Sequence, residues 1–299
     1  MTEFKSFFKV VGGNEGALCH YRTRLDPYGC GCAHDCSYCY AKSLLSFRGL
    51  WHPEAPRVAS IDAIKRRISR LKAGSVVRLG GMTDPLQPLE QTHGVTRATV
   101  ALLNRARVHY LLVTKSHLVA SPEFRKFLDP DLAHIQISVT NTNDRAALAY
   151  EWCSLSSKRL EAVSQLQKLG FDVSLRLSPF IREFIDPAVI AQAEPKKIIV
   201  EFLRVNLWIE KWLNGLVDLS PYTLVRRGGY RHLPLGTKQS HLLDLKACLP
   251  GAQISVCEDV PEHAGHWRLI NPNPDDCCNL RLNHPASRQY PQDSPGSIA

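Results

Sequence analysis

Five short runs rich in Val, Ile and Leu recur through the middle of the chain. They are SVVRLGG (75–81), VHYLLVTKS (108–116), HIQISVTN (134–141), DVSLRLSPF (172–180) and KKIIVEFLRV (196–205). Each is bounded by turn-forming or polar residues and reads as a β-strand. Helical patterns occupy the intervals, over 61–73, 92–106, 121–128, 156–169 and 187–193. Gly170 stands where a helix C-terminus favours a left-handed residue, directly before the next strand. This alternation predicts an α/β fold with a parallel sheet covered by helices, open or closed into a barrel. No internal repeat is visible, which excludes a solenoid. With 299 residues, 44% of them hydrophobic, the chain can bury an ample core as one large domain or two modest ones.

The rhythm stops after residue 206. LWIEKWLNGLVDL and KQSHLLDLKACL read as helices and AQISVCED as a strand, in a segment otherwise rich in Pro, Asn and His. The expected organisation is an N-terminal segment (1–24), a core (25–206) and a C-terminal extension packed on it (207–299). The last stretch, NHPASRQYPQDSPGSIA, has a disordered composition. No apolar run approaches the ~20 residues of a membrane span. The opening MTEFKSFFKVVGGNEG has charges within it and does not read as a secretory signal. A soluble, cytoplasmic protein with no membrane partner is therefore expected, and there clustered cysteines more often bind metal or do chemistry than form disulfides.

Such a cluster is present. PYGCGCAHDCSYCYAKSLL (27–45) places Cys30, Cys32, Cys36 and Cys39 within ten positions. Cys32, Cys36 and Cys39 have the spacing CxxxCxxC. A structural zinc site uses four protein ligands, commonly two separated pairs, and no second local pair completes a tetrahedron here. Three thiolates on an iron–sulfur cubane would leave one iron open to a further ligand. Cys30 could serve as a fourth ligand in a zinc clip; otherwise it is a bystander.

CxxxCxxC with an aromatic residue, Tyr38, before the last cysteine resembles the signature of radical S-adenosylmethionine enzymes. In that family a 4Fe–4S cluster chelates the amino and carboxylate groups of S-adenosylmethionine, and one-electron reduction yields a 5′-deoxyadenosyl radical. The segments YGCGCAHDCSYCYAK, GGMTDPLQPLEQTHGVTR, LLVTKS, ISVT and SSKRLEAVSQLQKLGFDVSLRLSPFI resemble, in that order, the subgroup that includes spore photoproduct lyase and its photolyase-like relatives. The resemblance spans roughly residues 25–185. It implies a partial (β/α)6 TIM-like barrel, the radical S-adenosylmethionine fold, and an electron donor such as flavodoxin or ferredoxin. A monomer is expected.

Parallel α/β barrels carry their chemistry at the C-terminal ends of their strands. Gly80 and Gly81 close the strand 75–81, where bare backbone lets a ligand approach. By resemblance the methionyl amino group is held there, with Thr83 and Asp84 nearby. Lys115 matches the family lysine that pairs with the cofactor carboxylate; the alternative is a surface lysine at a strand end. Ser138 resembles the family serine that hydrogen-bonds the cofactor, against a buried, backbone-bonded serine. Arg176 would reach the same carboxylate or a substrate phosphate, or else form an ion pair at the core edge. Tyr40 has a family counterpart in radical relay, against simple packing.

Two departures bear on function. Where spore photoproduct lyase carries a hydrogen-donating cysteine, this chain has Gly81. Where the relatives have Glu-Pro before a helix, it has Trp152 in place of the proline and one residue fewer before Arg159. Cys153 falls in that loop, as a substitute hydrogen donor or an inert buried cysteine. Cys248, Cys257, Cys277 and Cys278 lie in the extension. There VCEDVPEHAGHW and DDCCNL offer Cys and His for a second metal site, the alternative being structural cysteines.

A formal net charge of +9 draws polyanions or marks a merely basic surface. IKRRISRLK (64–72) reads as a helix with a solvated cationic face. VRRGGYRH (225–232) combines phosphate-binding and base-stacking chemistry in Arg226, Arg227, Tyr230 and Arg231. The leading expectation is a radical enzyme, lyase or isomerase in type, that modifies or rearranges a thymine-type base in DNA or a nucleoside, ahead of repairing one. The same chemistry on a peptide, RNA or small metabolite is the second reading. A non-catalytic, metal-stabilised nucleic-acid-binding module is the third.

Overall fold

The computed structural model describes residues 9–12, 18–224 and 229–282. The disordered composition read from residue 283 onward, and Arg226 and Arg227, lie outside the described residues. An eight-stranded sheet organises the molecule: β1 (Lys9–Val10), β2 (Thr23–Leu25), β3 (Val76–Leu79), β4 (His109–Thr114), β5 (Ala133–Val139), β6 (Asp172–Phe180), β7 (Lys197–Phe202) and β8 (Gln253–Val256). The strands lie side by side in chain order. Every neighbouring pair from β2 to β8 is parallel, and only β1 runs antiparallel, at the edge. β2 through β7 are the six strands of the partial barrel.

The five apolar runs form β3 to β7. Their apolar side chains, such as Val77, Leu79, Leu112, Ile135, Ile137, Leu175, Leu177, Ile198 and Val200, are buried. Strands covered on both faces carry near-continuous apolar sequence, which is why they stand out. The helix expected over 92–106 is divided. Gly94 adopts φ 63° between Leu89–His93 and Val95–Arg105, a left-handed turn that glycine takes without a Cβ penalty. The helix Ile61–Ile68 buries Ala63, Ile64 and Ile68 and directs its cationic residues outward. Among the described residues no helix is long and apolar enough to cross a membrane.

After β7 the chain forms a three-stranded sheet from Arg204–Val205, Thr223–Leu224 and Arg231–His232, three helices (Leu207–Trp212, Leu235–Cys248 and Pro261–Ile270) and β8. Residues 276–281 then cross the N-terminal ends of the barrel strands. Lys197 donates to the Asn279 carbonyl at 2.8 Å, and the Arg281 amide donates to Asp172 at 2.8 Å. Ser255 donates to the Cys277 carbonyl at 2.6 Å, and the Tyr21 hydroxyl donates to Asp276 at 2.6 Å. The segment closes that mouth of the barrel; the cysteine loop stands at the other.

Candidate active site

The cysteine loop has little regular structure of its own and is held by its neighbours. The amide of Asp35 donates to the Cys32 carbonyl and that of Cys39 to the Cys36 carbonyl, making two successive turns. Ala33 donates to Gln87, Ser37 to the Tyr150 carbonyl, and Trp152 to the His34 carbonyl. Cys39 caps the helix Tyr40–Phe47, its sulfur accepting the Lys42 amide at 3.4 Å. Cys32, Cys36 and Cys39 all line one cleft with about 1510 Å³ of empty space, counting the solvent at its mouth. Cys30 does not line it. Its backbone is left-handed (φ 60°), and its carbonyl accepts the His52 amide.

Burial sets the protonation of these thiols. It pushes Cys32 up to about 12, with the Asp84 carboxylate adding to the effect. Burial likewise raises Cys36 well above the ordinary value and raises Cys39. Iron binding would therefore displace protons. Three buried or half-buried soft donors that line one cleft fit the corner irons of a cubane.

The GGMTDP loop forms the floor, and a residue that sequence reasoning passed over builds it. Asp26, just after β2 and fully buried, accepts the amides of Gly81 (2.7 Å), Met82 (2.9 Å) and Thr83 (3.2 Å) on one carboxylate oxygen. These amides are thus taken, and the Gly81 carbonyl accepts the Tyr40 hydroxyl. Gly80 has φ 88°, and a Cβ there would stand 2.5 Å from the Val113 carbonyl oxygen. The Thr83 hydroxyl donates to the Tyr28 carbonyl at 2.7 Å. Asp84 braces the loop to the end of β4 through Thr114 (2.7 Å) and the Lys115 amide (2.6 Å), with His34 3.5 Å away. Burial opposes its charge, but His34 and these hydrogen bonds hold its carboxyl down at about 2.

Lys115 lines the cleft, its ammonium 5.4 Å from the centre of the Tyr38 ring. Burial disfavours its charge, yet Cys36, Glu151, Cys153 and Asp84 outweigh burial and hold it above the ordinary lysine value. Ser138, near the end of β5, also faces the cleft, and its carbonyl accepts Arg159 at 2.7 Å. Arg176 faces it too, with its guanidinium engaged by Gln136 (2.9 Å) and Glu201 (2.5 Å), the ion-pair arrangement. Cys153 is not a cleft residue; it stands behind the wall beside Glu151.

An aromatic and cationic wall borders the same cleft. The Arg204 guanidinium lies 4.5 Å from the centre of the Tyr40 ring and 5.4 Å from that of Tyr230, and it is ion-paired with Asp259. Arg231 is held by Glu210 at 2.5 Å. Tyr40 and Arg204 line the cleft directly, whereas Tyr230 and Arg231 stand outside it. Asp26, Glu201 and Arg204 carry no spacing signal in the sequence; only their positions at strand ends could have marked them.

A family model described as the Radical SAM superfamily matches residues 27–187. No curated protein matches the chain by sequence. Among solved structures, spore photoproduct lyase complexed with dinucleoside spore photoproduct is similar at TM-score 0.60 and 16% identity, over 84% of this chain and 80% of that one. A mutant of that lyase with bound AdoMet and dinucleoside spore photoproduct is similar at TM-score 0.59 and 15% identity, over 82% and 86%. Methylornithine synthase is similar at TM-score 0.51 and 14% identity, over 92% and 77%.

Proposed function

The chain belongs to the radical S-adenosylmethionine superfamily, and from that premise we propose that it modifies or rearranges a thymine-type base in DNA. Its cofactors are a 4Fe–4S cluster and S-adenosylmethionine, which when bound supply a 5′-deoxyadenosyl radical. Cys32, Cys36 and Cys39 hold the cluster. Lys115 offers a cation to the cofactor carboxylate, Ser138 a hydroxyl, and Gly80 its bare backbone. Asp26 and Asp84 position the Gly80–Gly81 stretch without touching the ligand. Tyr40 is tied to the same stretch through the Gly81 carbonyl.

The observation that carries the substrate reading is Arg204 on the cleft wall with the ring centres of Tyr40 and Tyr230 4.5 Å and 5.4 Å from its guanidinium. Aromatic rings beside a guanidinium suit a flat base with a phosphate next to it, and the net charge of +9 favours a polyanion. The position of the spore enzyme's hydrogen-donating cysteine is Gly81. A side chain there would press on the Arg24 Cδ, 2.9 Å from the added Cβ. With no thiol at that place, modification or rearrangement is favoured over the spore enzyme's repair cycle.

The test is anaerobic turnover of the reconstituted full chain with dithionite, S-adenosylmethionine and thymine-containing oligonucleotides. We expect the oligonucleotide to stimulate 5′-deoxyadenosine release and to return a base altered in mass or chromatographic position. An inert oligonucleotide, with stimulation by a peptide or small metabolite instead, would reject the substrate and leave the family chemistry standing.

A further inference from the structure

A second group of cysteines meets along the inner wall of the barrel, packed with Tyr21, Val76, Leu111 and Ile199. Cys19 precedes β2, Cys257 follows β8, and Cys277 and Cys278 sit on the closing segment. All four line the cleft already described. They belong to one contact cluster, with Cys278 buried in it and Cys19, Cys257 and Cys277 packed against it. None is in a disulfide. We propose that Cys19, Cys257, Cys277 and Cys278 bind a second iron–sulfur cluster.

The backbone is built to present these sulfurs. Asp276 accepts the amides of Cys278 (2.9 Å) and Leu280 (3.0 Å), and Asn279, at φ 48°, closes the turn onto the Asp276 carbonyl. The Cys277 carbonyl is held by Ser255, and the Cys257 amide continues the ladder to the Val200 carbonyl of β7. Cys19 donates its thiol proton to the Tyr21 carbonyl at 3.4 Å, and the Tyr21 hydroxyl is bonded to Asp276. Two distant ends of the chain are thereby fixed against each other around the thiols.

Donor type selects the cargo. Four soft sulfurs favour zinc or iron–sulfur over hard cations, and iron–sulfur is the loading that the family's chemistry already requires. Arg78 acts on both Cys19 and Cys257, and Arg24 on Cys19. A cubane held by four thiolates is an anion, and these guanidiniums offset its buried charge. By contrast, the compact group His232, Glu258 and Asp259 is already neutralised, Glu258 by Lys238 at 2.6 Å and Asp259 by Arg204.

The experiment is metal and sulfide analysis after anaerobic reconstitution of the full chain and of its C32A/C36A/C39A variant, which cannot hold the first cluster. We expect about eight irons per wild-type chain and about four irons with four sulfides in the variant. Adding Cys257→Ser or Cys19→Ser to the variant should lower the iron. About four irons in the wild type, one zinc per chain, or a disulfide among these cysteines in the metal-free protein would overturn the proposal. The wild-type count decides the matter even if the triple variant fails to fold.

Discussion

Glu151 and Arg159 meet at 2.5 Å with both side chains almost completely buried. The other Glu151 oxygen accepts the Tyr38 hydroxyl, so one carboxylate joins the cysteine loop to the helix Ser156–Lys168. Burial opposes its charge, but Arg159 and Lys115 hold its carboxyl below the usual range. Glu151→Ala should cost about 3–5 kcal/mol, because it strands a buried guanidinium. Urea denaturation of the metal-free protein checks this. A double variant with an apolar residue at 159 should recover part of the loss.

The cluster assignment separates Cys30 from its neighbours. Substituting Cys32, Cys36 or Cys39 by Ala should abolish S-adenosylmethionine cleavage, measured as 5′-deoxyadenosine. Cys30→Ala should leave it within about twofold, since its sulfur lies outside the cleft. Equal loss on removing Cys30 would restore the four-ligand clip.

Asp84 gives the fold an acid-side dependence with a definite sign. Its folded value of about 2 lies below the ordinary 3.8. The stability it adds is therefore fully present above about pH 4 and is lost as pH falls through about 2. The contribution is about 2 kcal/mol. Asp84→Asn should flatten the stability–pH curve of the metal-free protein between those limits.

Asp26 accepts three consecutive amides that would otherwise be buried without partners. Asp26→Ala should weaken S-adenosylmethionine binding by roughly tenfold, the equivalent of about one net hydrogen bond. Asp26→Asn keeps an acceptor and should lose less. Titration of cofactor binding by calorimetry distinguishes the two; identical losses would contradict a positioning role.

The Tyr230 ring centre lies 5.4 Å from the Arg204 guanidinium, which lines the cleft. Tyr230→Ala should reduce oligonucleotide affinity roughly 5- to 150-fold, the range of one lost stacking contact. Fluorescence anisotropy over a series of salt concentrations should show the same salt slope as wild type, because no phosphate contact is removed. A change confined to the slope would move the nucleic-acid contacts elsewhere.

The sequence alone determined the parallel α/β core, because strands buried on both faces need continuous apolar runs and helices between them need one apolar stripe. It also marked Cys32, Cys36 and Cys39 as one group, since their spacing is local and two short turns suffice to bring all three to one cleft. β2 was not legible: Thr23–Leu25 is three residues long and carries Arg24 within it. The helix Pro261–Ile270 was missed for a different reason, its histidines and proline diluting the apolar pattern.

Only the tertiary structure decided which groups oppose one another across the barrel. Asp26 reaches Gly81 because β2 and β3 pair in parallel, so that their C-terminal ends coincide. Arg176 meets Glu201 because β6 and β7 are neighbours in register. Tyr21 meets Asp276 across a separation of 255 residues because the closing segment spans the strand N-termini. Residue types and spacings record local geometry; which side chains face one cavity depends on the chain's path through space, and that is set by packing the whole sheet at once.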